Sequence, residues 1–331
     1  MAWCGLNEIM KTPSKPRAFI TANPKKSDLK NRMESTQTSK KPQFDNRPIG
    51  VFDSGVGGLT VVKQLLKKLP SEGIIYFGDT ARIPYGTKSE DTVKRFALED
   101  SFFLLEKNVK MIVVACNTAS AIAVPMLQEI LEVPVTGVIE PGAIAATRYT
   151  RNERIGVIGT ATTIRSGSYS RKILSLNKNL QVISQPCALF VPLVEEGWIE
   201  DEPTYLIARR YLQPLIENKV DTLILGCTHY PLLINVLQKV MGPEVRLVDS
   251  GVETAIVVKN ILEEKQLLAD SANVPRHHFF LSDMPYKFQD IAERFLERSI
   301  PHIQTVNFDE FLISKGTMFW KKYQTVLQKS Y

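Results

Sequence analysis

The sequence predicts an α/β protein built of two pseudo-symmetric domains, each a mostly parallel sheet flanked by helices, with the site in the cleft between them. Three observations predict it. From Arg47 onward short apolar runs alternate with segments of helical spacing, the signature of parallel sheets covered on both faces. Two of the runs match: VKMIVVACNTAS (Val109 to Ser120) and VDTLILGCTHYP (Val220 to Pro231) align with a constant offset of 111 residues, Cys116 on Cys227. A second pair, IGVFDSG (Ile49 to Gly55) and IGVIGTA (Ile155 to Ala161), aligns at an offset of 106. Apolar strands followed by small residues are common in parallel sheets, so one such pair would say little. Two pairs at nearly equal offsets, one ending in Cys both times, point to duplication.

In chain order, Ile49–Phe52 reads as a buried strand. A helix follows from Gly57, with Leu59, Val61, Val62, Leu65, Leu66 and Leu69 at helical spacing, and stops at Pro70. Ile74–Phe77 is a strand, and Gly78–Gly86 a loop rich in turn residues. An amphipathic helix covers Ser89 to Lys107, Met111–Val114 is the strand leading to Cys116, and Thr118–Leu131 is the next helix. Val135–Val138, Ile155–Ile158 and Gln181–Ser184 are strands, and Tyr205–Asn218 is a helix that Pro214 would kink. Leu223–Leu225 leads to Cys227, and Val245–Val248 runs into Asp249-Ser250-Gly251, an echo of Asp53-Ser54-Gly55. Helices at Glu253–Glu264 and Lys287–Leu296 are expected to return to the first half. The expected domains are therefore 47–140 with 250–331, and 141–249, with the hinge near residues 140 and 250.

Composition narrows the function classes. The 331 residues suffice for two ordinary cores, and 44% hydrophobic with 23% charged content is that of a soluble globular protein. No stretch approaches the roughly 18 apolar residues of a membrane span. Of the net charge of +6, residues 1–46 carry +5, so the body is nearly neutral and the basicity belongs to the extension. That extension is rich in Lys, Ser, Thr, Pro and Asn, which predicts disorder, and it lacks the apolar core of a secretory signal. Met10 and Met33 could each begin a shorter chain. The four cysteines form neither a CxxC pair nor a zinc-finger pattern, which favours free thiols in a cytoplasmic protein.

The cysteines lead the candidate residues. An ordinary thiol has a pKa near ~8.5, lowered at a helix N-terminus or beside a cation. Both Cys116 and Cys227 precede expected helices. A lone strand-end cysteine is most often a small buried hydrophobe, but a matched pair followed by Asn117-Thr118 and Thr228-His229 points to chemistry. Two thiols on equivalent loops suit removal of a proton from one face of a carbon and its return on the other. Asp53 and Ser54 open the glycine-rich turn Gly55-Val56-Gly57-Gly58, where Asp53 is either a cap or a catalytic group, comparably weighted. The turn matches no phosphate-binding motif in full. His229, two residues after Cys227, is placed to adjust the thiol or contact substrate. Tyr85 and Gly86 lie in a loop able to close over a ligand. Glu196 reads first as a surface charge, and His277, His278 and His302 read as solvent-facing.

The motifs GVFDSGVGGLTV, FGDTARIPYG, VVACNTASA, VIGTATTIRSG, FVPLVEEGW and LGCTHYPLL together resemble the cofactor-independent glutamate racemases, over nearly everything from Arg47 to about residue 300. The resemblance implies that Cys116 and Cys227 are the two catalytic bases, assisted by Asp53, His229 and Glu196, the last on a position linked to His229. It places Asp53, Ser54, Tyr85, Gly86, Asn117, Thr118, Thr160, Thr163, Thr228 and His229 around substrate. It also implies glutamate as substrate, no metal and no cofactor such as pyridoxal phosphate, a role in supplying D-glutamate for peptidoglycan, and a cell-wall precursor nucleotide as an activator acting through residues 1–46. A homodimer is the expected assembly, with neither membrane nor nucleic acid as a partner. Thr-His after Cys227 favours glutamate over aspartate or another amino acid. Two other classes compete: a regulatory binder acting through the basic extension, and a thiol hydrolase, which would leave the second matched cysteine unexplained.

Overall fold

A strand covered on both faces has no reason to alternate apolar and polar residues, and Ile-Gly-Val-Phe-Asp at Ile49–Asp53 (β1) is buried at every position. The same holds for Ile74–Gly78 (β2), Met111–Val114 (β3), Val135–Gly137 (β4) and Thr222–Gly226 (β7). These strands are seen in the computed structural model, which describes residues 44–284, 288–300 and 302–315. The remaining strands are Arg154–Gly159 (β5), Gln181–Pro186 (β6), Arg246–Asp249 (β8), His277–Leu281 (β9) and Ile303–Thr305 (β10).

Two sheets result, with orders β10-β9-β2-β1-β3-β4 and β6-β5-β7-β8. Every pairing in both is parallel. The order β2-β1-β3-β4 recurs as β6-β5-β7-β8, so the two cysteine runs occupy the same place in each sheet, after β3 and β7. In the first sheet Ile49 stands opposite Ile74 and Met111; in the second Ile155 stands opposite Val182 and Thr222.

Helices cover both faces. Leu59–Lys68 (α1) lies on one face of the first sheet, and Glu90–Glu106 (α2) with Asn117–Ile130 (α3) on the other. Adjacent residues of β1 divide between them: Val51 joins the core under α1, Phe52 the core under α2 and α3. Helices following β1 and β3 thus leave on opposite faces and open a crevice at the strands' carboxyl ends, where ligands of such sheets bind. The second sheet carries Ile139–Tyr149 (α4), Ala161–Ser166 (α5), Ser168–Leu176 (α6), Phe190–Glu196 (α7), Glu202–Glu217 (α8) and Ile234–Met241 (α9). Ser250–Glu264 (α10) packs against both α1 and α4, and Phe288–Leu296 (α11) packs against α1. One hydrophobic cluster consequently runs from Ile49 and Leu59 through Val258 and Phe295 to Leu212 and Cys227.

The expected return of the last helices to the first sheet agrees with this packing. Other details differ. β9 pairs with β2, placing His277 opposite Ile74, half-buried rather than solvent-facing as expected, while His278 is exposed. The helix expected to kink runs Glu202–Glu217 through Pro214. Residues 44–46, expected in the extension, belong to the compact unit of the body. The fully buried Lys110 ammonium donates to the carbonyls of Asp45 and Leu267, each at 2.6 Å, and pairs with Glu72 at 2.6 Å. The expected disorder of residues 1–43 lies outside the described residues.

Candidate active site

Loops at the carboxyl ends of β1, β2, β3, β5 and β7 supply the site. After β1 the chain turns sharply through Ser54 to Gly58. One carboxylate oxygen of Asp53 accepts the Gly55 N–H at 3.0 Å. The other, Oδ1, is buried without a partner. Asp53 therefore braces the turn with one oxygen and keeps the second for something else. Burial raises its pKa, against the charge of His229 and the turn's own N–H groups. The glycines here are steric requirements. A methyl on Gly57 would lie 2.2 Å from Thr228 Oγ1 and 2.6 Å from His229 Nδ1, and one on Gly58 would lie 2.5 Å from Asp53 Cβ. The Thr60 hydroxyl, in the first turn of α1, donates to the Thr228 carbonyl at 3.0 Å, so the start of α1 is joined to the β7 loop.

Cys116 is the residue before α3, with its Sγ 3.5 Å from Ser54 Oγ. Burial and then the negative charge of Asp53 push the thiol up to about 12, outweighing the Ala119 N–H and Ser54 bonds that favour the thiolate. A charge on Cys227 opposes its ionisation as well, which places both sulfurs in one electrostatic neighbourhood. Cys227 is set differently. It precedes a 3-10 turn, Tyr230–Leu233, and α9 begins only at Ile234, so the expected helix N-terminus does not follow it directly. His229 stands there instead, with Nδ1 3.9 Å from Cys227 Sγ and Nε2 2.9 Å from Glu195 Oε1. Burial works against an imidazolium, but the bonds to Cys227 and Glu195 prevail and push its pKa up to about 10. The two thiols thus have unlike neighbours, a carboxylate beside Cys116 and an imidazolium beside Cys227.

The partner of His229 is Glu195, not Glu196 as the resemblance implied; Glu196 is exposed. Both sit in the last turn of α7, and only the tertiary placement of that turn against His229 separates them. The Tyr85 side chain is already engaged. Its hydroxyl is buried between Asp79 and Asp100, which it meets in a cluster with Arg82 and Glu99, so only its backbone remains for a substrate. Gly86 follows it against Thr160, whose Cβ would be 2.9 Å from a methyl at that glycine. The Gly86 carbonyl accepts the Thr162 hydroxyl at 2.6 Å.

The remaining polar residues join the two halves. Thr118 Oγ1 lies 3.0 Å from Thr160 Oγ1 and 3.2 Å from Thr163 Oγ1, and Thr160 and Thr163 are 2.9 Å apart. Asn117 Oδ1 accepts the hydroxyl of Tyr169 at 2.7 Å. Asp53, Cys116, Asn117, Thr118, Thr163, Cys227, Thr228 and His229 are all buried. Among the described residues no group of three or more His, Cys, Asp or Glu side chains is arranged to hold a metal ion.

Comparison with known proteins agrees with this arrangement. Residues 49–257 match the family model described as Asp/Glu/Hydantoin racemase. Glutamate racemase of Geobacter metallireducens is 52% identical over 263 residues, covering 80% of this chain and 97% of that protein. The crystal structure of glutamate racemase from Francisella tularensis in complex with D-glutamate superposes with a TM-score of 0.76 at 42% identity, covering 80% of this chain and 99% of that one. That of Escherichia coli glutamate racemase, in complex with L-glutamate and the activator UDP-MurNAc-Ala, gives a TM-score of 0.65 at 31% identity over 78% of this chain and 98% of that one. Paired cysteine loops on a repeated parallel sheet, a matching family model over most of the body and full-length relatives at this identity lead to one conclusion: the chain belongs to the Asp/Glu/hydantoin racemase family.

Proposed function

We propose that this protein interconverts L- and D-glutamate by a two-base 1,1-proton transfer, with Cys116 and Cys227 as the bases. The carrying observation is the pair of cysteines on equivalent loops, one held as a thiol beside Asp53 and the other beside an imidazolium. A thiolate at Cys227 takes the α-proton, Cys116 donates its own proton to the opposite face, and the roles exchange in reverse. The carbanion-like intermediate needs donors around the substrate carboxylates in a water-poor site; Ser54, Thr118, Thr160, Thr163, Thr228 and the backbone at Tyr85–Gly86 supply them, while Asn117 holds the substrate alike before and during the transfer. The unpartnered oxygen of Asp53 is a natural acceptor for the substrate ammonium. Because most of these groups are buried, with Ser54, Gly86 and Thr160 half-buried, entry requires the lobes 47–140 with 250–331 and 141–249 to part, breaking the Thr118–Thr160 and Thr162–Gly86 contacts. No helix among the described residues is long and apolar enough to cross a membrane. A cytoplasmic homodimer feeding D-glutamate to peptidoglycan synthesis, with a UDP-linked cell-wall precursor as an activator, completes the proposal; the Escherichia coli relative's complex supports the last element.

Circular dichroism of L-glutamate and, separately, L-aspartate incubated with the protein tests it. Optical rotation decays to zero with glutamate only; decay with aspartate alone refutes the substrate assignment. Cys116→Ala and Cys227→Ala each lower racemisation by at least about 10³-fold, within the usual range for loss of one proton-transfer group, with unchanged far-UV spectra. Full turnover in either variant rules out two bases.

A further inference from the structure

Tyr169 is a buried side chain that the mechanism above does not use. It stands in the first turn of α6, two residues after Gly167, whose left-handed backbone (φ +63°) turns the chain into that helix. Its hydroxyl donates to Asn117 Oδ1 at 2.7 Å and lies 2.9 Å from Ser250 Oγ. A phenol has one proton. With that proton given to Asn117, the Ser250 hydroxyl donates to the phenol oxygen, and the phenol is satisfied as donor and acceptor. Burial, acting first, keeps the Tyr169 proton in place well above the ordinary range. The ring fills a slot left by two glycines: a methyl would come within 3.2 Å of it from Gly226 and 3.4 Å from Gly142.

These contacts have particular addresses. Asn117 follows Cys116, Gly226 precedes Cys227, and Ser250 opens α10 where the chain passes from the second sheet back to the first. One side chain touches the residue next to each cysteine and the point where the two sheets are joined. Holding Oδ1 of Asn117 also fixes the direction of the two N–H donors on the same amide.

We infer that Tyr169 is a positioning residue for the racemase reaction, fixing the Asn117 amide as a substrate donor and tying the two cysteine loops to the crossing at Ser250. The inference rests on the racemase reading above. An amide that holds substrate equally in the ground and transition states changes KM and leaves kcat alone. Tyr169→Phe keeps the ring and removes one hydrogen-bonding group, so KM for glutamate rises about three- to tenfold, the usual worth of such a bond, with kcat within twofold of wild type. A double-mutant cycle separates this from general loosening. In the Asn117→Ala background Tyr169→Phe produces no further rise in KM, because the group it acts through is gone. Ser250→Ala, which leaves the Tyr169–Asn117 bond in place, raises KM less than Tyr169→Phe does. A normal KM in Tyr169→Phe, or multiplying effects of Tyr169→Phe and Asn117→Ala, overturns the inference while wild-type turnover upholds the racemase reading. A wild-type protein without turnover sinks both.

Discussion

Cys116 and Cys227 are the same side chain in opposite electrostatic settings, and the residues that make the difference are open to test. Glu195 and Glu196 are adjacent, but only Glu195 meets His229. Glu195→Gln keeps a hydrogen-bonding group and removes its charge, so kcat/KM falls about 10- to 100-fold, in line with the larger worth of hydrogen bonds to charged groups. Glu196→Gln stays within twofold of wild type. The same substitution has a pH signature. The pKa of His229 is raised from its ordinary value near ~6.5 to about 10. Its charged interactions therefore stabilise the fold fully below the lower value and are lost as pH rises through the upper one. Between about pH 6.5 and 10 the melting temperature falls more in wild type than in Glu195→Gln; parallel profiles would show that Glu195 does not hold the proton. The resemblance put Glu196 of VPLVEEGW beside His229 where the structure has Glu195, because two neighbours in one helical turn are told apart only by what the turn packs against. Tyr85 was legible as a loop residue for the same local reason, and the burial of its hydroxyl was not, because Asp79 and Asp100 converge on it only in three dimensions.

At the level of elements, the strand-end turns carry the site, and their glycines are set by contact with the opposing loops. Gly57→Ala forces a methyl within 2.2 Å of Thr228 Oγ1 and lowers kcat/KM at least about 100-fold, the scale of a misplaced reacting geometry. Gly242→Ala is the control: its added methyl meets nothing within 4 Å, but its φ of +92° is strained for any side chain. It lowers stability by about 1–3 kcal/mol with activity intact. Thermal melts beside steady-state rates distinguish the two, and an active Gly57→Ala enzyme would remove the β1 turn from the site. The alternation of strand and helix was readable wherever strands are buried on both faces, because they appear as unbroken apolar runs such as MIVV and TLILG. β9 and β10 were not: β9 opens with two histidines, and β10 is the short terminal strand of its sheet. The turn after Cys227 was read as the start of a helix because nothing local shows that His229 takes the place of the helix end.

For the whole molecule, the repeated strand order supports an arrangement in which two related sheets each offer one thiol, and it was visible beforehand as two offsets, 111 and 106. The joining elements were less legible, since α10 and Lys110 act through contacts between distant segments. Those contacts define how short the chain can be made. Removing residues 1–43 leaves melting temperature and turnover unchanged. Removing 1–46 takes the Asp45 carbonyl from the buried Lys110 ammonium and the Asn46 side chain from the Asp270 N–H, lowering the melting temperature by several degrees, the shift expected for about 1–3 kcal/mol of unpaired burial. Equal melts for both truncations would contradict the role given to that anchor. The central claim is that separate sulfurs serve the two faces of one carbon, and racemisation in D2O with mass analysis of each enantiomer at low conversion examines it most directly. Thiol protons exchange with solvent, so the newly formed enantiomer should carry deuterium at Cα while the remaining substrate keeps protium, in both directions. Product that retains the original α-proton, or substrate that gains deuterium as fast as product forms, would mean that a single group serves both faces.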